Sequence, residues 1–161
     1  MTPGSASPVL VLGLGNTLLG DDAVGVILLE ELRRNPGWGD GVEFIDGGTQ
    51  GLALLGCISN RQALVVLDAL STGAPAGTLS VLRAPQVAAL GAPRSTTAHE
   101  GNAGELLAAA ALLGDLPGQV FVIGIEPQCL RTGCALSTPV RDALPLALAQ
   151  AQALIEQILR E

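Results

Sequence analysis

The sequence predicts an α/β fold: one three-layer domain whose mostly parallel, twisted sheet of about five strands is flanked by helices. Three observations carry that prediction. Short runs of Val, Leu and Ile, such as Val9–Gly13, Ala63–Asp68 and Gln119–Ile125, suit strands covered on both faces. These runs alternate with segments of helical period, which is the pattern of a parallel sheet. The 161 residues, 48% hydrophobic and 14% charged, suit one domain with a single buried core.

Taken in order, Met1–Pro8 is small and polar and reads as a flexible tail; it lacks the basic start and apolar stretch of a signal peptide. Val9–Gly13 is the first strand, and a helix follows from about Asp21 to Arg34, with Val24, Ile27, Leu28 and Leu32 on one face. Asn35-Pro36-Gly37 ends that helix. Val42–Asp46 is the second strand, closed by Gly47-Gly48, and a short helix near Gln50–Ile58 leads to the third, Ala63–Asp68. Thr78–Arg83 is expected at a sheet edge, because the connection before it is short and rich in Gly and Pro. Ala84–Asn102 is a long stretch containing the sole histidine, and long loops in compact domains are often functional. Ala103–Leu113 reads as a helix, Gln119–Ile125 as a strand and Glu126–Ser137 as an irregular segment. Pro139–Arg160 closes the chain as a long helix with Val140, Leu144, Leu148, Ala151, Ile155 and Ile158 on one stripe. No repeat and no linker divides residues 1–161.

Composition excludes several functions. All eight basic residues are arginine, so there is no phosphate-loop, Schiff-base or general-base lysine. A net charge of −7 argues against nucleic acid, whose phosphates need a basic face. No apolar run reaches the ~18 residues of a membrane span, and a cytoplasmic location is the default expectation. Cys57 reads as core; Cys129 and Cys134 could approach each other in a loop, but three cysteines without CxxC spacing indicate neither a disulfide framework nor a zinc knuckle, and the structural reading is preferred.

The densest signal is Gly13-Leu14-Gly15-Asn16-Thr17-Leu18-Leu19-Gly20-Asp21-Asp22, a strand that turns through glycines and delivers an acidic pair to a helix start. A dinucleotide site fails here, since Leu18 replaces the third glycine of GxGxxG and two carboxylates would repel a pyrophosphate. Asp46 and Asp68 end their strands and Asp22 follows the first turn, so all three belong at the carboxyl edge, where open α/β folds bind ligands. Asp22, Asp68 and His99 offer two hard oxygens and an imidazole nitrogen, a set suited to a divalent ion such as zinc or nickel. Singly, each has a structural reading as helix cap, turn residue or surface histidine; together on one edge they favour a metal site. No serine occupies a GxSxG elbow and no cysteine a strand-to-helix turn, so a metal-positioned water suits hydrolysis better than a side-chain nucleophile.

The same turn, through Asp22-Ala23-Val24-Gly25, resembles the N-terminal signature of the nickel-iron hydrogenase maturation endopeptidases. The likeness continues through Asp46-Gly47-Gly48-Thr49, Asn60-Arg61, Val66-Leu67-Asp68-Ala69, His99-Glu100-Gly101-Asn102, Val122–Pro127 and Leu136–Val140. It implies an aspartic-type endopeptidase of the cytoplasm with one protein partner, the precursor of the hydrogenase large subunit. From that precursor such an enzyme removes a C-terminal extension after nickel insertion. The family's metal positions fall on Asp22, Asp68 and His99, with nickel borne by the substrate, or another divalent transition metal, as the ion. Asp22 stands where some members carry glutamate, one methylene longer. Asp46 would be a further residue of the catalytic set. The rivals are a non-enzymatic receiver-like domain, whose acidic pair and strand-end aspartate are imitated but whose lysine is missing, and a general metal-dependent peptidase.

Overall fold

The computed structural model describes residues 7–83 and 103–161. Five strands form one sheet: β1 (Val9–Leu14), β2 (Val42–Gly48), β3 (Ala63–Ala69), β4 (Leu79–Arg83) and β5 (Gln119–Ile125). Their order is β2-β1-β3-β5-β4. All neighbours run parallel except β4, which pairs antiparallel with β5 and closes one edge, as the sequence predicts. The helices are α1 (Val24–Arg33), α2 (Leu55–Ile58), α3 (Ala103–Leu113) and α4 (Thr138–Arg160).

The period of two along each strand divides the core into two layers. Val9 and Val11 of β1 and Ala63, Val65 and Leu67 of β3 face α1 and α4, where they meet Val24, Leu28, Leu29, Leu32, Val140, Ala151 and Ile155. Leu10, Leu12 and Leu14, with Leu64 and Val66, face the other way onto Leu54, Ile58, Leu106 and Leu107. Each fully buried side chain of this size contributes roughly 1.5–3 kcal/mol. Ile27, expected on the inner stripe of α1, is only half-buried, and Leu29 takes its place. At the amino edge, Arg61 spans Cys57, Ser7 and Glu43, its guanidinium bonding two carbonyls and one carboxylate.

The strand order sets the address of the site. From β1 the chain crosses by way of α1 to β2, whereas everything after β3 builds the opposite side of the sheet. Such a reversal opens a crevice at the carboxyl ends of the two central strands, here β1 and β3.

Candidate active site at the carboxyl edge of the sheet

Two sequence-predicted carboxylates meet in that crevice. Asp68 is the next-to-last residue of β3 and is 3% exposed. Asp22 lies in a short 3-10 turn, Gly20–Ala23, that precedes α1. The acidic pair therefore precedes the α-helix, which starts at Val24 instead of near Asp21. Three glycines permit the approach. Gly15 has φ +128°, and a Cβ there would overlap the Asp22 carbonyl. Gly20, at φ +56°, turns the chain beneath the segment that follows β5. Gly25 lies against the carbonyls of Leu14 and Leu67, so α1 sits directly on the ends of β1 and β3. Asp22 Oδ2 accepts from Asn16 N at 2.7 Å, which closes the turn back on β1.

Asp68 is poorly provided for as an anion. Its Oδ1 accepts from Ala69 N at 2.8 Å and its Oδ2 from Ala103 N, the first residue of α3, at 3.2 Å. Burial is the larger influence and, with the Asp22 charge beside it, outweighs those two donors; together they push the carboxyl up to about 7. A cation between Asp22 and Asp68 would remove both penalties at once. A carboxyl raised in this way at a crevice is a candidate group for proton exchange or cation binding.

Asp21, the other member of the pair, has a different task that sequence reasoning missed. It is 0% exposed. Its Oδ2 accepts from the backbone N–H groups of Gln128 and Cys129 at 2.8 and 3.0 Å and from Ser137 Oγ at 2.7 Å; its Oδ1 accepts from Ser137 N at 2.8 Å. Burial alone would raise its pKa, but the donors from Cys129, Ser137 and Gln128 outweigh burial and hold it below the usual carboxylate range. The Asp21 N–H in turn donates to Cys129 O at 2.8 Å. Asp21 thus ties the β1–α1 turn to the segment between β5 and α4.

That segment corrects the reading of its cysteines. Cys129 and Cys134 form a disulfide, with Cα atoms 6.7 Å apart. The chain folds back between them through Gly133, at φ +81°, whose N–H donates to Leu18 O. A spacing of five residues does not disclose such a turn. Cys57, expected in the core, is a free thiol that is only partly buried, packed against the Leu10–Leu14 layer.

Asp46 reaches the same edge, paired in register with Gly13, but it is exposed and its Oδ1 accepts from Gly48 N at 3.0 Å. It shapes the Gly47-Gly48 bulge, where the register shifts so that Leu14 pairs with Gly48. Buried Glu126 also holds a site loop, accepting from Thr72 N, Thr72 Oγ and Gly73 N just beyond Asp68. His99 lies outside the described residues, as does the whole Ala84–Asn102 stretch. Among the described residues no group of three or more metal-ligating side chains gathers, and no helix is long and apolar enough to cross a membrane.

Comparison with known proteins agrees with this geometry. The family model described as hydrogenase maturation protease matches residues 26–154. The chain is 36% identical over 155 residues to the hydrogenase expression/formation protein HupM of Azotobacter chroococcum, covering 96% of this chain and 74% of that protein. It is 35% identical over 151 residues to the hydrogenase 2 maturation protease of Escherichia coli, covering 92% and 91% respectively. The solved structure of the E. coli hydrogenase maturating endopeptidase HybD superposes with a TM-score of 0.83 at 34% identity, covering 92% of each chain. The receiver-like alternative, which would make the chain a non-enzyme, falls on these findings. A fold, a carboxylate pair and a sequence likeness that runs through both place the chain in the hydrogenase maturation protease family, as an endopeptidase.

Proposed function

We propose that this endopeptidase removes the C-terminal extension of a nickel-iron hydrogenase large-subunit precursor after nickel insertion. In this reading it acts in the cytoplasm and recognises nickel carried by the substrate through Asp22, Asp68 and His99. The observation that carries it is the pairing of Asp22 with Asp68 at the sheet edge, where burial, reinforced by the Asp22 charge, pushes the Asp68 carboxyl up to about 7. Two carboxylates in that state gain most from a divalent cation delivered between them. In the sequence His99 stands four residues before Ala103, whose N–H donates to Asp68 Oδ2.

The chemistry then divides between substrate and enzyme. Nickel in the precursor supplies a Lewis-acidic centre that shared carboxylate ligation can recognise. Asp22 and Asp68 would orient the precursor tail beside that centre. Asp46 and the Gly47-Gly48 bulge would let the substrate backbone approach closely, since glycine presents no side chain there. Enzyme and nickel-bearing precursor would bind each other better than enzyme and empty precursor, which makes the metal a checkpoint.

Cleavage of nickel-loaded and nickel-free precursor, followed by the mass of the product, tests this reading. Cleavage of the loaded form alone is expected. Equal rates on both would end the checkpoint, and ready cleavage of unrelated short peptides would make the chain a general peptidase.

A further inference from the structure

We infer that the Cys129–Cys134 disulfide is a redox brace on the acidic turn: when oxidised it fixes the loop that clamps Asp21, and its reduction slackens the placement of Asp22. The inference rests on the reading of Asp22 and Asp68 as the working carboxylates. Cys129 engages Asp21 through both of its backbone groups, its N–H donating to Oδ2 at 3.0 Å and its C=O accepting from Asp21 N at 2.8 Å. Both half-cystines also press on the residue before. A Cβ at Gly20 would stand 2.5 Å from Cys129 O and 2.9 Å from Cys134 Cβ, so the disulfide loop and the turn are in direct contact. From Asp21 the path to the site is one peptide bond, because Asp22 follows it, its carboxylate accepting from Asn16 N and its own N–H donating to Leu19 O.

The position of the bridge suits a switch better than a staple. It closes a short loop, and short loops gain least from a cross-link. Neither half-cystine belongs to the two core layers, so the fold does not lean on the bond. Both are partly exposed and are flanked by exposed Arg131, Thr132 and Gly133, so a small dithiol or a dithiol protein can reach them. Disulfides in reducing compartments are usually transient ones. The exchange is balanced: a thiolate of the dithiol attacks one sulfur and forms a mixed disulfide. Its second thiol then closes its own disulfide and releases Cys129 and Cys134 as thiols, two electrons and two protons having passed from the dithiol to the bridge.

The test compares oxidised full-length protein with protein reduced by dithiothreitol and desalted under inert gas, so that no dithiol remains to strip nickel from the precursor. Titratable thiols should rise from one, Cys57, to three. On reduction, amide hydrogen exchange at Asn16, Gln128 and Cys129 should quicken several-fold. Processing of nickel-loaded precursor should slow several-fold and recover on reoxidation. A Cys129→Ser/Cys134→Ser variant should match the reduced protein and ignore the dithiol. Unchanged exchange at those amides overturns the brace, and changed exchange with unchanged processing overturns its regulatory role. If oxidised protein leaves loaded precursor uncut, the processing reading fails, while the exchange data still decide the brace.

Discussion

Asp21 and Asp68 are both buried aspartates in the same corner of one sheet, and they are held in opposite ways. Asp21 accepts four hydrogen bonds from the loop that precedes α4, and these keep it ionised below its ordinary range. Asp68 accepts two and faces the charge of Asp22, and its carboxyl rises to about 7. Burial raises both; at Asp21 the donors outweigh it, whereas at Asp68 two donors do not and the Asp22 charge adds to it. A carboxylate saturated by the protein has nothing left for a ligand and serves as a structural tie. One left short is a cost to the fold and a reserve of binding energy for whatever cation relieves it. Adjacent numbering hides this division, since Asp21 and Asp22 are neighbours in the chain but work for different sites.

Substitution should separate the two roles most sharply. Asp68→Asn and Asp22→Asn should each reduce precursor processing to background while the far-ultraviolet circular dichroism stays that of the wild type. Asp21→Asn should instead act on stability. Its new amide places N–H groups against the N–H and O–H donors of Gln128, Cys129 and Ser137, at an expected cost of about 2–4 kcal/mol in urea unfolding. Wild-type processing by folded Asp68→Asn would dismiss the site. A fully stable Asp21→Asn would dismiss the tie.

Acidity should divide them again, this time by sign. The folded protein raises the pKa of Asp68 from 3.8 to about 7, so between those values the folded state keeps a proton that the unfolded chain releases. Stability therefore falls as pH rises through that window and levels off above it, by on the order of a few kcal/mol for the metal-free protein. Asp21 behaves in reverse. Its folded pKa lies below 3.8, so its contribution is present above that value and is lost as pH falls through the folded pKa. Unfolding free energies from pH 2 to 8 in chelator-treated buffer, for wild type and Asp68→Asn, would expose both. The difference between the two proteins should change only across the upper window, and a flat difference curve would mean that Asp68 is not held back from ionising.

How far these roles can be read from sequence follows from how local their causes are. The strands were legible because Val9–Leu14, Ala63–Ala69 and Gln119–Ile125 are nearly unbroken apolar runs. The placement of β4 at an edge followed from the short, Gly- and Pro-rich connection before it. Asp68 could be set at the carboxyl edge because it ends such a run, and Asp22 because it follows the first turn. The tie made by Asp21 could not be read, since its donors stand 107 to 116 residues away. The disulfide was hidden for a related reason: Gly133's left-handed backbone, its bond to Leu18 and the bond from Cys134 N to Arg131 O fold the loop, and none of these leaves a mark in cysteine spacing. A doublet of aspartates beside a glycine was the one available hint that two jobs were being done there. The buried Glu126 that binds Thr72 and Gly73 gave no hint at all, its partners again lying more than fifty residues off.

Ser137→Ala makes the finest cut. It deletes one donor of the Asp21 set, the hydroxyl at 2.7 Å from Oδ2, and keeps the Ser137 N–H on Oδ1 and both amides from Gln128 and Cys129. Oδ2 is left with two donors, so no carboxylate oxygen is orphaned, and the loss should be near the value of one hydrogen bond to a charged group, about 1.5 kcal/mol. The carboxyl of Asp21 should also move up toward its ordinary range, which carbon-13 chemical shifts of its side chain across an acid titration would register. Processing should barely change, because three of four bonds still hold the turn. Were processing instead to fall as far as in Asp68→Asn, Ser137 would have to act on the substrate and would belong to the site as well as to the tie.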